Sequence, residues 1–187
     1  MPPKVKVTKQ DIVQTALDLI RREGESALNA RSIAAALGCS TQPVFSNFAS
    51  MEELQQATVA AAYECYLNFL KNEAENGMYP MYKAFGMAYI RFAATEKELF
   101  KLLFMCDRKG ESHTPTEDFE TSVEYIVKTN GISREKAELM HVEMWACVHG
   151  IATMMATSFL ILEDSLISTM LSDVYQGLRE KHTKEEI

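Results

Sequence analysis

Gln42 carries an amide that can donate to and accept from one adenine edge at once, the pairing that reads adenine N6 and N7 in a DNA major groove. It sits in a short polar segment. Thr41, Ser46 and Asn47 supply hydroxyls and an amide for phosphate or base contacts, and Pro43 offers an apolar surface to a thymine methyl. Phe45 either packs on a sugar or closes a small local core, whereas Val44 and Phe48 fall on the inward side. Cations that can reach phosphate lie further off, at Lys4, Lys6, Lys9 and Arg31. Asn29 reads first as a helix cap, in a first turn that can also meet phosphate.

Two short helices must position these side chains. Ile33, Ala34 and Leu37 make an apolar face at helical spacing over about 30–37, and Gly38 permits a tight turn. Ser40 is placed to cap a second helix over 40–47, with Pro43 inside its first turn, where no intrahelical N–H bond is lost. The pair reads as a helix-turn-helix, the geometry that lays a second helix in the major groove. A preceding helix runs from a Thr8 cap to about Arg22, with Ile12, Val13, Ala16, Leu17, Leu19 and Ile20 inward and Gly24 at its end. Ser50 and Glu53 form a capping-box pattern before a long helix over 51–75.

Further helices are expected at 79–94, 96–106, 116–130, 134–162 and 164–181, with a loop at Lys109–Pro115 and a cap at Ser133. Eight glycines, five prolines and no alternating β-branched runs favour an all-α fold. The expected division is an N-terminal three-helix DNA-binding domain over 1–50 and a C-terminal helical effector-binding and dimerisation domain over 51–187.

Charge follows the same division. The chain carries −7 overall, yet residues 1–50 hold six cations against four acids, a surplus of two that leaves −9 on the remainder. An apolar fraction of 47% with 24% charged residues excludes a disordered chain. The four cysteines, Cys39, Cys65, Cys106 and Cys147, are too scattered for a zinc site or a secreted disulfide framework. The amino end has no apolar signal-peptide core. The apolar run 144–162 contains His149 and Gly150 and has no basic flank, so it reads as a helix buried on all sides rather than a membrane span. A cytoplasmic protein is expected.

Other chemistry is thin. Glu138 and His141 have the Glu-x-x-His spacing of di-iron bundles, but one copy is too few, so no metal and no cofactor is expected. No nucleophile–base spacing or Gly-rich phosphate loop supports catalysis. Met and aromatic residues crowd the C-terminal part. From these, Phe85, Tyr89, Phe104, Met105, Trp145 and His149 are the candidate lining of an apolar effector pocket. His149 lies four residues from Trp145, on the same helix face, as either a structural or a ligand-facing imidazole.

The segment 7–54 resembles the TetR family of transcriptional regulators. The matching positions are Ile12, Ala16, Leu17, Gly24, Ile33-Ala34, Gly38, Ser40, Phe45, Phe48 and Glu53-Leu54. Downstream, Trp145, His149 and Gly150 look like a Trp-His-Gly signature of one regulatory-domain subgroup. The resemblance implies a homodimer whose amino-terminal units each meet one half-site of double-stranded operator DNA. It also implies an effector pocket in the carboxy-terminal domain and dimer contacts through the last two helices, here about 134–162 and 164–181. The expected protein is thus a repressor released from its operator by a small apolar or amphipathic effector. Thr41, Phe45 and Met51 stand where the family commonly has lysine, tyrosine and lysine, so segment 40–51 holds no cation. Two alternatives remain: a dimeric helical ligand-binding or interaction protein with a degenerate helix-turn-helix, and a helical-bundle enzyme.

Overall fold

In the computed structural model, residues 7–75, 77–106 and 117–184 are described, and all of their regular structure is helical. The helices are α1 (Lys9–Glu23), α2 (Ala30–Ala36), α3 (Gln42–Asn47), α4 (Met51–Glu75), α5 (Met81–Thr95), α6 (Lys97–Phe104), α7 (Glu117–Asn130), α8 (Arg134–Ala156) and α9 (Asp164–Thr183), with a 3₁₀ turn at Glu25–Ala27. Lys4, Lys6 and the expected loop at 109–115 lie outside the described residues. The chain divides into two compact units, residues 1–68 with 96–106, and residues 69–95 with 107–187. The first unit therefore runs past the boundary expected at residue 50.

Local chemistry starts the helices of the first unit. Thr8 Oγ1 accepts the Asp11 N–H at 3.1 Å while Asp11 Oδ2 accepts the Thr8 N–H at 2.8 Å, a complete capping box for α1. The Thr8 hydroxyl, which donates to Asp11 Oδ2 at 2.7 Å, and the Thr8 N–H hold the Asp11 carboxyl below its ordinary range. Gly24 ends α1 at φ 80°, ψ 176°, a conformation that only glycine adopts without strain. Asn29 Oδ1 accepts the Ser32 N–H at 2.9 Å and caps α2. Ser50 Oγ accepts the Glu53 N–H at 3.2 Å at the start of α4, but the Glu53 carboxylate turns to the Ala49 N–H at 2.7 Å.

Ile12, Ala16, Leu19, Ile33, Val44, Phe48 and Leu54 make one buried cluster joining α1, α2, α3 and the first turns of α4. Val13 and Leu37, expected to point fully inward, pack at its half-buried margin. On α6, Leu99, Phe100, Leu102 and Leu103 are buried, and Phe104 meets Tyr66 edge-on at 5.0 Å between ring centres. Arg21 Nε donates to Glu96 Oε2 at 3.0 Å, tying α1 to the residue before α6.

In the second unit, α8 packs against α5, α7 and α9. Gly86 on α5 permits a close approach, since a Cβ there would lie 3.4 Å from Leu171 Cδ1 and Val148 Cγ2. Val123 and Ile126 of α7 and Ala137 and Met140 of α8 form a second buried cluster between the two helices.

Two expectations are corrected. α3 begins at Gln42 rather than near Ser40, and no side chain caps it; Pro43 sits in its first turn. α8 stops at Ala156 rather than 162, because Thr157 Oγ1 donates back to Thr153 O at 2.8 Å and Ser158 turns to φ 57°. The run 144–162 is accordingly not packed on all sides: Trp145 is 51% exposed, Phe159 76% and Ile161 81%.

Candidate nucleic-acid interface

α3 has six residues and two distinct sides. Val44 faces inward, followed just beyond the helix by Phe48, and both belong to the buried cluster of the first unit. Gln42, Phe45, Ser46 and Ala49 are exposed at spacings of three, four and seven residues from Gln42, one outward stripe on and just after the helix. Phe45, left open by the sequence, is 54% exposed and does not belong to that core.

The polar groups of the stripe are unequally free. Ser46 Oγ donates to Gln42 O at 2.8 Å. Asn47 Nδ2 donates back along α3 to Pro43 O at 2.8 Å and across to Val7 O at 3.4 Å, the second bond holding the end of α3 to the chain before α1. Gln42 keeps its amide without a partner among the described residues. The outward stripe is thus a hydrogen-bonding amide followed, one turn on, by an aromatic ring.

Beside α3 lies an open groove of about 540 Å³ lined by Asn29, Ala30, Arg31, Thr41 and Phe45. It brings together four of the residues singled out from sequence. Of the cations in residues 7–68, Lys9 holds Glu53 at 2.8 Å, Arg21 holds Asp18 and Glu96, and Arg22 holds Glu23 at 3.5 Å. Arg31 holds no carboxylate among the described residues. It is exposed at the groove edge and is the cation best placed for an unneutralised phosphate contact.

Lys9 has a double duty that sequence spacing could not reveal. Its Nζ pairs with Glu53 Oε1 and lies 4.5 Å from the centre of the Phe48 ring. The lysine ammonium and the Ala49 N–H hold the Glu53 carboxyl below its ordinary range. The start of α1, the end of α3 and the start of α4 are thereby pinned together. Ser40 is exposed in the turn between α2 and α3.

The six candidate pocket residues are distributed over both units. Phe104 and Met105 belong to the first, at the end of α6; Phe85, Tyr89, Trp145 and His149 belong to the second. In the second unit, Tyr89 Oη and His149 Nδ1 are hydrogen-bonded at 2.9 Å, and the imidazole stacks on Trp145 at 4.9 Å and 10°. Burial pushes the His149 imidazole below its ordinary pKa, so it is neutral at physiological pH. Phe85 lies one turn before Tyr89 and is partly exposed.

Sequence reasoning missed a second polar cluster. Tyr82 Oη and His141 Nδ1 lie 2.9 Å apart, and Asn130 Nδ2 donates to Tyr175 Oη at 3.0 Å; Tyr82 stacks on Tyr125. Burial raises the Tyr82 pKa and lowers that of His141, so both stay uncharged. Glu138, the other half of the Glu-x-x-His spacing, accepts from Arg134 Nε at 2.8 Å. Arg91 on α5 pairs with Glu73 and, at 2.7 Å, with Asp164, fixing the last turns of α4 and the start of α9 within this unit. These pairings join residues 18 to 73 positions apart, and periodicity carries no signal for them. Among the described residues no helix is long and apolar enough to cross a membrane.

Residues 82–166 match the family model described as the tetracyclin repressor-like C-terminal domain. No curated protein matches the sequence. Among solved structures, a protein of unknown function from Rhodococcus sp. RHA1 superposes with a TM-score of 0.70 at 18% identity, covering 94% of this chain and 97% of its own. A TetR-like transcriptional regulator from the same organism gives 0.66 at 14% identity, covering 94% and 96%. A transcriptional regulator, also from that organism, gives 0.62 at 17% identity, covering 96% and 100%. The architecture is therefore that of an N-terminal helix-turn-helix followed by a C-terminal helical domain.

Proposed function

We propose that this chain is a TetR-type, ligand-responsive regulator that binds double-stranded operator DNA as a homodimer, with residues 1–50 reading DNA and residues 51–187 binding effector and partner. The observation that carries this reading is the outward stripe of α3. A helix anchored by Val44 and Phe48 turns Gln42 and Phe45 to solvent beside a groove edged by Arg31. The match of residues 82–166 to a repressor-type C-terminal domain supports the same assignment.

A second copy is the natural cover for α8. Leu139, Val142 and Trp145 recur every three residues and leave large apolar side chains half exposed along one face. The stretches around 134–162 and 164–181 are the proposed dimer contact. Within the body, Tyr89, His149, Trp145 and Phe85 are the proposed effector contacts of the second unit, with Phe104 and Met105 on the first. A small apolar or amphipathic effector that binds better when the DNA-binding units are misaligned shifts the population away from the operator. The reading is of a cytoplasmic repressor without catalysis, metal or cofactor.

One feature favours a different class. Segment 40–51 has no cation, and Lys9 is committed to Glu53, which suits a dimeric interaction protein with a degenerate helix-turn-helix. Selection of duplexes from a random pool separates the readings. The regulator enriches one inverted repeat, and Thr41→Ala with Gln42→Ala abolishes the enrichment. A pool with no enriched sequence at low salt supports the interaction protein instead.

A further inference from the structure

The exposed ring of Phe45 constrains what the operator must contain, given the regulator reading above. Phe45 has no hydrogen-bond donor, so it cannot hold a phosphate, and a half-exposed phenyl ring calls for an apolar group on the DNA. Among the base edges of the major groove that group is the C5 methyl of thymine. The methyl projects from the pyrimidine on the side nearest its own sugar–phosphate strand. The groove lined by Arg31, Thr41 and Phe45 puts a cation and this ring side by side, which suits a phosphate and a neighbouring methyl of one strand.

The rest of the stripe narrows the register. Ser46 and Asn47 spend their donors on Gln42 O, Pro43 O and Val7 O, so Gln42 is left as the amide reader. Gln42 and Phe45 are one helical turn apart. Three residues rise about 4.5 Å, against about 3.4 Å per base step, so the two side chains address adjacent or next-adjacent pairs. We infer that Phe45 reads a thymine methyl in each half-site, one or two base steps from an adenine facing Gln42. The half-site centre under α3 is then made of A·T pairs, in an orientation fixed by the methyl.

The test uses the full chain and the sequence it selects from a random pool. Each thymine is replaced singly, in both half-sites, by deoxyuridine, which removes the methyl and nothing else, and affinity is read by fluorescence anisotropy. One thymine position is expected to lose about fourfold per half-site, the effect of one buried methyl. That loss is expected to vanish in Phe45→Ala, whose folding is checked by circular dichroism. If deoxyuridine is neutral at every thymine, or costs the same in Phe45→Ala, the ring packs elsewhere, on deoxyribose, and the inference fails while the regulator reading stands. A pool with no enriched sequence overturns both.

Discussion

Arg31→Gln isolates the electrostatics of the groove. Arg31 borders it and holds no carboxylate among the described residues, whereas Arg22 is paired with Glu23 at 3.5 Å. A cation that displaces one counterion per half-site contributes two to a dimer, so removing it flattens the log–log salt plot by about 1.8. Between about 50 mM and about 200 mM salt, that change narrows the affinity gap between the parent and the variant by about twelvefold. The measurement is a titration of a labelled operator duplex at four or five salt concentrations, read by anisotropy. Arg22→Gln serves as the control and is expected to leave the slope nearly parallel to the parent. Parallel plots for Arg31→Gln, or an equal flattening for Arg22→Gln, would refute the reasoning that ion pairing within the unit selects which cation works. The parent slope is itself expected to be shallow, a few counterions per half-site, because segment 40–51 holds no charged residue.

Three further outcomes follow from packing and burial. Phe48→Ala empties the centre of the first core and removes the face under Lys9, and should lower unfolding free energy by about 3–5 kcal/mol in urea melts. A cost below about 1 kcal/mol would contradict that packing. Gly24→Ala forces a Cβ into a glycine-only conformation and within 3.1 Å of Glu98 Oε2, on a carboxylate whose other oxygen, Oε1, accepts from Lys101 Nζ at 2.6 Å, so a loss of about 1–3 kcal/mol is expected. His141 and His149 have pKa values depressed by burial, so the unfolded chain binds protons that the folded chain refuses. Stability is unaffected by them above the ordinary imidazole value of 6.5 and falls as pH drops below it, and the double variant His141→Gln, His149→Gln should show a smaller fall between about pH 6.5 and about pH 5. Equal pH slopes would sink this assignment.

What was legible in the sequence is what local chemistry decides. Thr8, Asn29 and Ser133 cap the helices they were expected to cap, because a cap needs only a side-chain oxygen two or three residues before an N–H. The long α4 and the inward positions Ile12, Ala16, Ile33 and Val44 followed from periodicity for the same reason. The end of α8 was not legible. Met154 through Leu162 is apolar apart from two hydroxyls and holds no glycine or proline, and the stop comes from Ser158 entering the left-handed region. The state of Lys9 was hidden too, since Glu53 lies 44 residues away. Phe45 was ambiguous because, on a helix of six residues, a single side chain decides whether the apolar stripe has one face or two.

The central claim is that Gln42, at the outward tip of α3, meets a base edge in the major groove. Replacing each adenine of the selected operator by 7-deazaadenine deletes the N7 acceptor while leaving Watson–Crick pairing intact. One adenine per half-site is expected whose replacement weakens binding by about tenfold or more, with the penalty lost in Gln42→Ala. Uniform affinity across all such duplexes would contradict it.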